Sequence, residues 1–147
     1  MDTSEAGRHS VTAVPGEVPR EVVTLPADDT CMGQARRVAT DFLTRARVDH
    51  GLAVTEKAED LTRLVVSELV TNAHKYVGGP VLMELSVVDA HIEVVVRDRG
   101  TDLPVARTAD AGRIGQHGLE IVMAVAQSVV ARREPGGKSV TARLPLE

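Results

Sequence analysis

The stretch ELVTNAHKY, Glu68 to Tyr76, lies near the end of a segment with helical spacing. That segment runs from about Thr55 to Val77 and stops at the breaker Gly78-Gly79-Pro80. At about 100° per residue, with Leu61 as the reference direction, Ala58, Val65, Leu69 and Tyr76 fall within about 80° on one side. Leu64 falls about 60° away on the other side, and Glu68 and Asn72 lie between, about 20° either side of the reference. Arg63, Ser67 and His74 take the opposite face. The spacing therefore predicts a helix whose apolar stripe carries a carboxylate and an amide near its centre, with Lys75 towards its edge.

A buried carboxylate without a partner costs several kcal/mol, and an unpaired buried amide about 1–3 kcal/mol. A purely structural explanation needs partners elsewhere, such as Arg97 for Glu68. Three polar residues spaced i, i+4 and i+7 point instead to a cavity with a polar occupant. The Glu68 carboxylate can accept a proton or orient water. The Asn72 carbonyl is a hard neutral oxygen suited to Mg²⁺. The Lys75 ammonium is a point charge for a phosphate. Base, metal ligand and phosphate partner together describe a nucleoside triphosphate site.

The rest of the composition narrows the setting. The chain has 147 residues, enough for one domain with a core, and a single Phe, a single Tyr and no Trp, so that core is aliphatic. Net charge is -4 with both signs interleaved, and there is neither a basic stripe nor an aromatic platform, which argues against direct nucleic-acid binding. Cys31 stands alone, so no intramolecular disulfide forms and a reducing cytoplasm fits. No apolar run is long enough for a bilayer, and the five histidines lack metal-ligand spacing, so no metal site is expected from protein groups alone. Only three of the 17 basic residues are lysines, as a GC-rich bacterial genome would produce.

Residues 1 to about 20 are polar, punctuated by Pro and Gly and without period, and read as a flexible tail before a domain at 21–147. EVVTLP is a short strand. Asp28 or Asp29 then caps an amphipathic helix that ends at Gly51. After the helix of Glu68 come VLMELSVVD and IEVVVRD, a hairpin about an Ala90-His91 turn. HGLEIVMAVAQ reads as a third helix and SVVARREPGGKSVTARLPL as a closing hairpin. The order β-α-α-β-β-α-β-β predicts an α+β two-layer sandwich, its sheet mixed but mostly antiparallel, with helices on one face.

Between the hairpin and the third helix lies RGTDLPVARTADAGRIGQHG, Arg99 to Gly118, which carries four glycines. Loops of this length within a compact domain are usually functional or disordered. Gly112, Gly115 and Gly118 recur every three residues and end where the apolar helix begins. Flexible amides at a helix N-terminus favour an anion. Upstream, Asp98 ends a strand and Gly100 permits a tight turn. The match GKS at Gly137 to Ser139 opens a strand rather than a helix, so it is no Walker loop.

These residues resemble the GHKL, or Bergerat-fold, ATPases. Glu68-Leu-Val-Thr-Asn72-Ala-His-Lys75-Tyr is similar to their N box, Asp98-Arg-Gly100 to their first glycine box, and Gly115-Gln-His-Gly118-Leu119-Glu-Ile-Val to their second. Within that family the chain length resembles the stand-alone anti-sigma factor kinases, which are abundant in actinobacteria. The resemblance implies ATP and Mg²⁺ as cofactors, with Glu68 as general base, Asn72 as Mg²⁺ ligand and Lys75 on phosphate. It also implies Asp98 on the adenine amino group, Gly100 beside the base, and Gly112, Gly115, Gly118 and Leu119 in the lid over the phosphates.

The implied activity is phosphorylation of a serine or threonine on an anti-anti-sigma (STAS) protein, coupled to sequestration of a sigma factor and, as in related kinases, possible homodimerisation. Two positions depart from the pattern. Asp102 stands where the first box has a second glycine, and Lys138 stands where the last strand has Thr, with Ser139 next as the substitute nucleotide contact. The alternatives are a non-catalytic module that uses ATP to set partner affinity, or a stand-alone histidine-kinase catalytic domain.

Overall fold

The computed structural model describes residues 19–77, 79–100 and 117–147, and of residues 75–77 and 117 the backbone alone. Three helices and five strands follow in the order β1 (Arg20–Leu25), α1 (Cys31–His50), α2 (Glu56–Val77), β2 (Val81–Val88), β3 (His91–Asp98), α3 (His117–Val125), β4 (Ser128–Glu134) and β5 (Gly137–Pro145). The strands form one sheet in the order β1-β2-β3-β5-β4. Every neighbouring pair is antiparallel, so the mixed sheet expected from the sequence is antiparallel throughout its described strands. The fold is the expected α+β sandwich.

Period-two alternation sets the sheet's inner face. Val81, Met83, Leu85 and Val87 on β2 alternate with half-exposed neighbours, as do Ile92, Val94 and Val96 on β3. They meet Phe42 and Leu43 of α1 and Val65, Val66, Leu69 and Val70 of α2 in one aliphatic cluster. Each such side chain contributes about 1.5–3 kcal/mol when removed from water. The lone Phe42 is fully buried there.

Local chemistry fixes the element ends. Thr30, rather than Asp28 or Asp29, occupies the cap position of α1, and Asp28 Oδ1 accepts its N–H at 2.9 Å from outside the helix. At the other end Gly51 adopts φ 65°, and the N–H groups of Gly51 and Leu52 return to the Arg47 and Ala46 carbonyls, a Schellman closure. Thr55 Oγ1 accepts the Ala58 N–H at 3.0 Å and opens α2. The β2–β3 turn falls on Asp89 and Ala90, one residue before the position expected, with φ of 51° and 62°. Both central residues of this two-residue turn need left-handed backbone, which Asp tolerates and His91 escapes by starting β3.

The phase of α2 also differs from the expected one. Its most buried residues are Ala58, Thr62, Val65, Val66, Leu69, Val70 and Ala73, a face centred roughly 100° from Leu61. Glu68 and Asn72 are half-buried on its flank, beside Leu61 and Leu64, rather than at its centre. The reason is crowding on several sides: α2 packs on α1, on α3 and on the sheet at once. Ser67, assigned to the side away from the core, meets Arg36 of α1, and Thr71 meets Met32.

Candidate functional site

The flank of α2 that carries Glu68 and Asn72 is turned towards the start of α3. A Cβ on Gly118 would lie 2.6 Å from Glu68 Oε1 and 3.7 Å from its Cβ. The absence of a side chain at Gly118, rather than its conformational freedom, therefore lets the carboxylate rest on the first turn of α3. Helix N-termini favour negative charge, so this position suits a carboxylate as well as an anionic ligand. Leu119, the next residue, is buried in the aliphatic cluster and anchors α3 there.

Arg97 is not the structural partner of Glu68. It lies on the sheet's outer face, 3.0 Å from Glu84 and 3.2 Å from Glu134. With Arg20 2.7 Å from Glu84, the four side chains form an alternating charge chain across the sheet. Hydrogen bonding to Glu84 raises the Arg97 guanidinium above its usual range. Burial alone would push the Glu84 carboxyl up, but hydrogen bonds from Arg20 and Arg97 bring it below its usual value. A cleft of about 270 Å³ opens beside this chain, lined by Thr24, Leu82, Arg97 and Glu134 and also by Asp98 and Lys138.

Asp98 terminates β3 on the inner face, in line with Val94 and Val96. Its Oδ1 accepts the Gly100 N–H at 2.7 Å, the tight turn foreseen at Asp98-Arg-Gly100. The same oxygen accepts from Lys138 Nζ at 2.9 Å, and the two side chains are only 3% and 7% exposed. This buried ion pair was not foreseen. Its signal was available in the antiparallel register, which sets Asp98 opposite Lys138. Gly137 makes the approach possible, because a Cβ there would overlap the Asp98 carbonyl oxygen and lie 3.0 Å from the Arg99 Cα.

Strand alternation separates Ser139 from this group. Its register partners are Arg97 and Arg132, so it belongs to the outer face, beneath the Arg97–Glu134 contact, while Lys138 shares the inner face with Val140 and Ala142. Glu68, Gly118 and Leu119 thus gather where α2 meets α3, with Asn72 one turn further along the same flank of α2, Asp98, Gly100 and Lys138 gather at the end of β3, and Ser139 joins neither. The Lys75 side chain, Gly112, Gly115 and Asp102 lie outside the described residues. Among the described residues no three His, Cys, Asp or Glu side chains group to cage a metal, and no helix is long and apolar enough to cross a membrane. Cys31 is a buried free thiol, and burial pushes it up from its usual value.

The donor set suits Mg²⁺, which usually keeps several waters and takes one or two protein oxygens together with substrate phosphates. Asn72 would supply a carbonyl oxygen, one turn from the Glu68 carboxylate.

One solved structure similar to this chain is the histidine kinase domain of the blue-light activated histidine kinase from Erythrobacter litoralis EL346. The two share 20% identity at a TM-score of 0.44, over 80% of this chain and 60% of that one. No curated protein matches the chain. The family model described as histidine kinase-like ATPase domain matches residues 25–144, which runs from the last residue of β1 to the penultimate residue of β5. The chain belongs to the histidine kinase-like ATPase family.

Proposed function

We propose that this chain is an ATP- and Mg²⁺-dependent protein serine/threonine kinase that also sequesters a sigma factor. Its substrate in this reading is a small STAS-type anti-anti-sigma protein. The observation that carries the reading is the Glu68 carboxylate, half-buried one turn from Asn72 and resting on Gly118 at the start of α3. Nucleotide binding alone needs no carboxylate here, since an anion beside a triphosphate weakens its binding. A general base does need one.

The roles follow residue by residue. Asp98 holds the base at the end of β3, and Asn72 holds the metal-chelated phosphates beside Glu68. Glu68 takes the proton from the attacking hydroxyl, and the start of α3 contributes backbone N–H groups to the phosphates. Bound Mg²⁺ offsets charge on the phosphates. Catalysis then rests on positioning and electrostatics, as is usual for phosphoryl transfer.

Incubation of the chain with labelled ATP and candidate STAS proteins tests the activity. The reading expects acid-stable label on a serine or threonine, and a loss of roughly 10²–10⁴-fold in rate for Glu68→Gln with ATP binding retained. Acid-labile, alkali-stable label would mark a histidine kinase domain instead. Tight ATP binding with no labelled partner, and Glu68→Gln unchanged in cells, would mark a regulatory module.

A further inference from the structure

The buried pair of Asp98 and Lys138 bears on which nucleobase the site accepts, a role that rests on the nucleotide-binding function proposed for the chain. A carboxylate at the end of β3 offers only acceptors. Alone it suits the exocyclic amino group of adenine and repels the O6 of guanine or hypoxanthine, which is itself an acceptor. Here the carboxylate is not alone. Lys138 Nζ lies 2.9 Å from Oδ1, and both side chains are more than nine-tenths buried. The pair is in direct cross-strand register, and β5 is held close by the absence of a side chain at Gly137.

Stability of the fold gives little reason for an ammonium at this depth. A buried ion pair often contributes no more than an apolar pair of similar volume, because both charges must leave water. Capacity for a ligand remains on both sides. An ammonium has three donors and a carboxylate about four acceptor sites. Lys138 and Gly100 take two of those acceptor sites, and Asp98 takes one of the three donors.

We infer that Lys138 is a base-reading residue that opens this site to 6-oxopurine nucleotides as well as to adenine nucleotides. Acceptor and donor side by side match either Watson–Crick edge, with the base shifted by one ring position between the two modes. Adenine gives its amino hydrogen to Asp98 and accepts at N1 from Lys138. Guanine or hypoxanthine gives its N1 hydrogen to Asp98 and accepts at O6 from Lys138. With the ammonium present, O6 meets a donor instead of an unshielded carboxylate. Sites that hydrogen-bond a substrate group reject analogues lacking it, so exchanging the donor for a group of shorter reach changes the selectivity.

The experiment uses the full chain with Mg²⁺ and displacement of a fluorescent N-methylanthraniloyl ATP by ATP, GTP and ITP. The expected result is displacement by all three within about fivefold of one another, ITP behaving as GTP because the 2-amino group plays no part. Lys138→Thr weakens ATP, which loses its bond at N1, and weakens GTP and ITP by about tenfold more, because their O6 then meets the unshielded carboxylate, whereas Lys138→Arg retains all three. A Lys138 with a merely structural role would move the melting temperature of both variants and leave the ATP-to-GTP ratio where it was.

Rejection of GTP and ITP by about a hundredfold in the unaltered chain overturns the inference, as does an ATP-to-GTP ratio unmoved by Lys138→Thr. Should Lys138→Thr fail to fold, the unaltered chain and Lys138→Arg decide on their own. Tight ATP binding with GTP excluded refutes only the role of Lys138. Displacement by no nucleotide refutes the nucleotide reading itself, and the inference with it.

Discussion

Glu68 and Gly118 touch where α2 passes the start of α3, with a Cβ on Gly118 placed 2.6 Å from Glu68 Oε1. The carboxylate and the helix start are therefore set by one contact, and the position of the proposed base depends on a residue with no side chain.

Gly118→Ala should move that carboxylate without unfolding the chain. The atom in the way is the far end of a flexible side chain, and Ala in a helix gains about 0.5–1 kcal/mol over Gly. Stability should therefore change by less than about 1 kcal/mol. Phosphoryl transfer should fall on the order of 10²-fold, the usual effect of shifting a catalytic group by about 1 Å. Thermal melts and initial rates on the same preparation check both halves.

Gly137→Ala should do the reverse and damage the fold. Here the obstacle is the Asp98 backbone, which cannot swing aside as a side chain does. Overpacking of this kind costs about 3 kcal/mol or more, equivalent to a fall of roughly 10 °C in Tm. A melt within about 2 °C of the unaltered chain would show that β5 does not approach β3 this closely.

Acid should weaken the outer face of the sheet through Glu84. Its carboxyl is held below the usual value because hydrogen bonds from Arg20 and Arg97 outweigh the opposing effect of burial. A depressed folded-state value stabilises the fold above the unfolded value, about 4.3, and that contribution is lost as pH falls through the folded-state value. Glu84→Gln should therefore be less stable than the unaltered chain at pH 7, with the difference shrinking below about pH 4. Urea midpoints measured from pH 7 to pH 3 check the sign.

The sequence made the layer order legible because the apolar runs at 81–88 and 91–98 alternate cleanly and the breakers at Gly51 and Gly78-Gly79-Pro80 fall at helix ends. It also singled out Glu68 and Asn72, whose polarity conflicts with the apolar spacing around them, and Asp98, which ends a strand two residues before Gly100. The phase of α2 was harder to read, since Val66, Val70 and Ala73 are buried by neighbours that no single-helix projection contains. Lys138 looked like a departure from a pattern until its strand partner was known. Ser139 was drawn in by its type, although one step along a strand reverses the face. Asp89 took the turn because left-handed backbone at two successive residues is a local requirement that residue preference indicates only loosely.

The central claim is that α2 and the end of β3 bind a metal-chelated nucleotide, and calorimetric titration of the full chain with a non-hydrolysable ATP analogue, with and without Mg²⁺, tests it most directly. Saturable one-to-one binding that Mg²⁺ tightens by about tenfold is the expected result, with the Mg²⁺ effect lost in Asn72→Ala and binding lost in Asp98→Asn. No heat of binding from a chain that melts cooperatively, or binding indifferent to both substitutions, would contradict it.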